Sequence, residues 1–190
     1  MNDYDTEFFK LTSDEMSLFV TKIAKLEDEI FNTTFRNAII VGISEIDHSL
    51  EYLLKKKLKT YNHSGFNVID SMNFITKIDL SFGIGLIGKN FTDLLHKLRK
   101  VRNKLAHSSH ISNQTHYLFN TVYNNLYKHS SIYTLLITSL HNEYYEDKIH
   151  SEIEGRIIAA LFFLLALLHI KSINIKEIEH SNVIEIYLRN

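Results

Sequence analysis

Cysteine and proline are both absent from the 190 residues. Without cysteine there is no disulfide, no thiolate metal site and no thiol nucleophile. Without proline nothing removes a backbone donor from a helix interior. A chain of this length would hold about nine prolines at the ordinary usage of roughly 5%. A basic-then-apolar signal pattern is missing too, because MNDYDTEFFKL opens acidic. The longest apolar run free of charge, Ile157 to Leu168, falls short of the about 20 residues that cross a bilayer. The expectation is a soluble, cytoplasmic protein with no membrane partner and with that run as a core helix.

What is present is ordinary in amount. Hydrophobic residues make up 45% and charged residues 23%, with a net charge of −1, so one domain with a real core is expected. No global field draws the chain to nucleic acid. The charge is unevenly spread, however. Residues 1–30 are acidic, whereas residues 51–107 hold eleven Lys and Arg against Glu51, Asp70, Asp79 and Asp93. A local basic surface binds phosphate even on a neutral protein, although a lysine run such as Lys55–Lys59 is more often a solvated face.

Apolar spacing is helical through most of the chain. Thr12-x-x-Glu15 reads as a capping box, followed by Met16, Phe19, Val20, Ile23, Leu26 and Ile30. A second helix carries Ile39, Ile43, Ile46, Leu50, Leu53 and Leu54 and breaks near Asn62–Gly65. A third is expected from about Asn67 to Phe82, with Ile69, Met72, Ile75, Ile78 and Phe82 facing in. Asn90 is expected to cap a fourth, with Asp93 in its first turn. The buried stripe of that helix is Phe91, Leu94, Leu95, Leu98, Val101 and Leu105. Thr115–Lys128, Ile132–Leu140 and Glu143–Ile170 complete the helices. Ile173, Ile175, Ile184, Ile186 and Leu188 alternate with polar residues, as in a small β-hairpin. The division expected is an arm over 1–12, a helical domain over 13–172 and a hairpin or tail over 173–190. The fold class is all-α, a bundle of five to seven helices with about 60–70% helix, well above the usual 30–35%.

Gly83-x-Gly85-x-x-Gly88 spells a dinucleotide-like pattern, but no strand precedes it and the βαβ context is missing. The glycines are better read as closing one helix and allowing tight packing before the next.

The chemistry concentrates in LRKVRNKLAHSSH, residues 98–110. Arg102 supplies a permanent charge and a planar donor fork for phosphate. His107 exchanges a proton near neutral pH. Asn103 orients a phosphate oxygen or the imidazole. Arg99, Lys100 and Lys104 add charge for RNA or phosphate. These groups suffice to cut RNA without a metal: a base takes the 2′-OH proton, the oxygen attacks phosphorus, and a cation stabilises the added charge. Arg102 and His107 are about 140° apart on an ideal helix. One chain points both at one phosphate only if the helix unwinds near His107; a two-fold pair of chains pools them across a cleft. The alternative is structural, with Arg102 paired to Glu45 or Asp47 and with Asn103 and His107 capping the helix. His107, His110 and His116 have irregular spacing for a metal site and no completing carboxylate, so no metal and no cofactor are expected. His48, His96 and His169 are placed on helix faces.

Arg102-Asn-x-x-x-His107 resembles the Arg-x(4–6)-His signature of HEPN domains, in which a polar residue usually follows the arginine, as Asn103 does. Phe35 to His110, with Glu45, Asp47, FITKIDLSFGIGLI and LRKVRNKLAH, resembles the mannitol operon repressor family. The resemblance implies a helical homodimer and a metal-independent ribonuclease with Arg102, Asn103 and His107 as catalytic residues. It further implies a toxin or antiviral-defence role, with a protein partner or antitoxin as a companion. Ser109 stands where one toxin subgroup has tyrosine, so a tyrosine-modifying antitoxin is not implied. Two other readings use the same residues. One is a non-catalytic regulator working through protein partners, since no basic recognition helix for direct DNA binding is evident. The other is a nucleotide-binding module without cleavage.

Overall fold

The computed structural model describes residues 33–58, 68–107, 113–129 and 152–175, together with the helical residues Asp14, Ser17 and Thr21. These contain five α-helices: α1 (Phe35–Leu58), α2 (Phe74–Gly83), α3 (Lys89–His107), α4 (Asn113–His129) and α5 (Glu152–Asn174). A 3₁₀ turn over Val68–Ser71 precedes α2, and no strand occurs among the described residues. The all-α expectation is met. Of the first helix expected after Thr12, only Asp14, Ser17 and Thr21 are described, and all three are helical; the helix over Ile132–Leu140 and the strand residues beyond Ile175 lie outside the described residues. Ile173 is helical, in the last turn of α5.

The helices close a ring. α1 packs on α3, α3 on α4, α4 on α5, and α5 returns to α1 along the most extensive contact of all. α2 lies across α1 and α3. Each helix buries the stripe that its spacing dictates. On α1 the buried residues are Phe35, Ala38, Ile39, Gly42, Ile43, Ile46, Leu50, Leu53 and Leu54. On α3 all six expected positions are buried, with Thr92 added. α5 is buried nearly all round from Ile157 to Leu168. Its window Glu154–Ile173 is long and apolar enough to cross a membrane, with mean hydropathy 2.0, but 78% of it is buried in the protein. The twelve-residue run of the sequence therefore understated its apolar length, while its place in the core is as expected. α1 and α5 approach closely at Gly42, where a Cβ would stand 2.7 Å from Leu161 Cδ1.

Local chemistry sets the ends. Thr34 caps α1: its hydroxyl accepts from Asn37 N at 3.4 Å and its carbonyl from Ala38 N at 2.9 Å. Asn73 caps α2, accepting from Thr76 N at 3.0 Å. That cap starts the helix at Phe74 rather than Asn67 and shifts its phase. The buried face is Phe74, Lys77, Ile78 and Ser81, and Phe82 turns outward at 47% exposure. α3 begins one residue before Asn90, with Thr92 N bonded to Gly88 O at 3.0 Å, so Asn90 is not its cap. Asp93 falls just beyond the first turn and pairs with Lys89 at 3.3 Å.

Gly85 ends α2 with φ +71°, a conformation that glycine adopts without cost. Leu86 N reaches back to Ser81 O at 2.8 Å and Gly85 N to Phe82 O at 2.9 Å, the paired bonds of a Schellman motif. The glycines thus close a helix, as expected. They do not serve tight packing: a Cβ on Gly83, Gly85 or Gly88 would meet nothing within 4 Å.

Candidate functional site

The motif occupies the last two turns of α3. Arg102 is half-buried, while Asn103 and His107 are exposed. The helix stays regular through His107, so it does not unwind, and the separation of about 140° between Arg102 and His107 persists. Asn103 and His107, four residues apart, share a face. A single chain therefore brings Asn103 to His107 but not Arg102. Lys100 is exposed, and Arg99 and Lys104 are half-buried. The Nε of Arg99 is shielded from solvent without a hydrogen-bond partner among the described residues.

The start of α1 lies against this end of α3. Arg36 Nη2 donates to Ala106 O at 3.4 Å, which satisfies one of the carbonyls left open at a helix C-terminus. Arg36 was not singled out in the sequence. Its only signal there is a lone cation beside an apolar stripe, and its contact spans 70 residues.

Glu45 and Asp47 are not with Arg102. They lie nine and eleven residues beyond Arg36, about 14–17 Å of helical rise. Glu45 faces His48 at 3.6 Å. Asp47 and Glu51 instead hold Lys77 of α2, which is 4% exposed: its Nζ is 2.8 Å from Asp47 Oδ1 and donates to Glu51 Oε2 at 2.7 Å. Burial pulls the Lys77 pKa down, and the two carboxylates more than reverse this, leaving it raised. Glu51 also accepts from Lys55 at 2.6 Å. Those hydrogen bonds from Lys55 and Lys77 hold its carboxyl at about 2. The Lys55 pKa is raised by its partners Asp70 and Glu51.

The basic stretch over 51–107 therefore divides. Lys55, Lys77 and Lys89 are paired with carboxylates, and Lys56 donates to Ser172 O at 2.6 Å, closing the end of α5. Lys97, Arg99, Lys100 and Arg102, all on α3, form no ion pair among the described residues. Unneutralised positive charge is thus gathered on the helix that carries the motif.

Other candidates are weaker. His96 pairs with Asp79 at 3.0 Å. His48 and His169 line a 340 Å³ cavity between α1 and α5 with Glu45, Ser49, Tyr52, Leu168 and Ser172, and none of its lining comes from α3. Among the described residues no group of three His, Asp or Glu could hold a metal. His110 and the side chain of His116 lie outside those residues.

Comparison with family models, curated proteins and solved structures finds no match to the chain. The HEPN and mannitol-repressor resemblance thus rests on the motif residues themselves.

Proposed function

We propose that the chain acts on RNA as a metal-independent endoribonuclease of the HEPN kind, working as a symmetric homodimer. The observation that supports this most is the set of unpaired cations on α3, Lys97, Arg99, Lys100 and Arg102, beside an exposed Asn103 and His107. Lys100, exposed and without a carboxylate partner, is open to a phosphate, and the half-buried Lys97, Arg99 and Arg102 add unneutralised charge around it. The structural alternative needs Arg102 on Glu45 or Asp47 and His107 as a cap. Those carboxylates are engaged elsewhere, and Arg36 already takes up the Ala106 carbonyl.

The chemistry follows from the groups. Neutral His107 accepts the 2′-OH proton. The 2′-oxygen bonds to phosphorus as the bond to the 5′-oxygen breaks, and that oxygen leaves with a proton from a second imidazole. Arg102 spreads two donors over the phosphate oxygens as negative charge builds. Asn103 orients the imidazole or a phosphate oxygen. Because the regular helix separates Arg102 from His107, two copies with the ends of α3 near the axis would pool two arginines and two histidines in one composite cleft. The products are a 2′,3′-cyclic phosphate and a 5′-OH. A role as a toxin or defence effector, with a protein partner as its control, follows from the same resemblance.

The test is cleavage of varied RNAs by the purified protein in EDTA. Cleavage is expected, with cyclic phosphate ends, and a 2′-deoxy nucleotide at the cut should stop it. Failure to cut any RNA with or without metal would favour the non-catalytic regulator.

A further inference from the structure

Tyr117 is 69% exposed, the highest, among the described residues, of the large apolar side chains that stand out of the fold. It lies one turn into α4. The core residues of that helix, Phe119, Val122 and Leu126, fall about 140–200° around from it, so its ring points away from the bundle. No ring or cation stacks on it among the described residues. Tyr123, further along, is different: its face is covered by Arg156, 4.7 Å from the ring centroid.

The neighbour of α4 is α3. The six steps from His107 to Asn113 reach at most about 20–22 Å, less than the about 28 Å length of α3. The ring of Phe119 on α4 lies 5.6 Å from that of Phe35, and the adjacent Arg36 reaches Ala106 O, so the beginning of α4 sits by the end of α3 and the two helices run antiparallel. Tyr117 lies two residues before Phe119, in that same stretch of α4. Asn103, His107 and Lys100 are exposed on α3. An uncovered aromatic ring thus stands on the helix next to the one that carries the unpaired cations, the pairing of stacking platform and charged track that single-stranded nucleic acid uses.

We infer that Tyr117 is a stacking platform for a base of single-stranded RNA lying along the exposed Lys100–Asn103–His107 face of α3. This rests on the proposed action on RNA and adds to it what the phosphate contacts cannot supply, a preference for unpaired RNA. A duplex hides its base faces, so it could use the cations but not the ring.

The chain contains no tryptophan, so Tyr117→Trp places a single reporter at the position. The full chain is titrated with a 2′-O-methyl oligonucleotide, which cannot be cut, and with an abasic oligomer of equal charge. The expected result is strong quenching of the Trp emission by the first and little by the second. Tyr117→Ala should weaken binding of the base-bearing strand about 5–100-fold, at about 1–3 kcal/mol per stacked base, and Tyr117→Phe should keep it. Equal binding of both oligomers with no quenching and no effect of Tyr117→Ala would overturn the platform and leave the cationic track standing. No binding of either by the wild type would overturn both.

Discussion

Replacing Lys77 by methionine probes the best-buried charge among the described residues. The substitution keeps the length of the side chain and removes the ammonium from between Asp47 and Glu51. Breaking a buried pair by removing one partner costs about 3–5 kcal/mol, because the remaining charge is stranded. Here the stranded groups are 20% and 22% exposed, and Glu51 keeps Lys55 at 2.6 Å. Water and Lys55 therefore relieve part of the cost, and about 2–3 kcal/mol is expected. Urea denaturation at neutral pH measures it as a fall in midpoint at constant slope. Adding Asp47→Leu to Lys77→Met should recover much of the loss, since the uncompensated carboxylate goes with it. A Lys77→Met protein as stable as the wild type would refute the placement of α2 across α1.

Three further outcomes follow. Gly42→Ala gains about 1 kcal/mol of helix propensity but drives a methyl to 2.7 Å from the buried Leu161; overpacking costs about 1–3 kcal/mol, so denaturation should show a net loss, and Gly42→Val a larger one. Glu51 has its folded pKa at about 2, below the ordinary 4.5, so its contribution is complete above that ordinary value and drains away as pH falls toward 2; solvent screening brings it to about 1–2 kcal/mol, and Glu51→Gln should flatten the fall in urea midpoint between pH 6 and pH 3. Sedimentation at micromolar concentration should give a dimer, and monomer alone would count against a site shared between copies.

The helical bundle was legible because burial follows spacing. The six apolar positions expected on α1 and the six on α3 are all buried. Phase was lost where a cap intervened: Ile69 to Phe82 keeps helical spacing, but Asn73 restarts the helix and leaves Phe82 outside. Ion pairing between helices was not legible, unlike the local pairs Glu51–Lys55 and Lys89–Asp93 four residues apart. Lys77 looks like any other cation of the 51–107 stretch, and its partner Glu51 is 26 residues away. Pairing depends on how α1 meets α2, which no local pattern encodes. The same holds for Arg36 and the Ala106 carbonyl. The motif residues themselves were visible as residue types at fixed offsets. The angle between Arg102 and His107 was readable from their spacing as well, whereas the exposure of Asn103 and His107 and the half-burial of Arg102 needed the packed helix.

The most direct measurement of the central claim is His107→Ala assayed for RNA cleavage and for melting temperature in the same preparation. His107 is exposed at the end of α3, so stability should change by no more than about 0.5 kcal/mol. Loss of a general acid–base group should slow cleavage by about 10²–10⁴-fold. Arg102→Lys should be nearly as slow, because lysine keeps the charge and loses the fork. Cleavage at the wild-type rate by a His107→Ala protein, with or without a lowered melting temperature, would contradict the account.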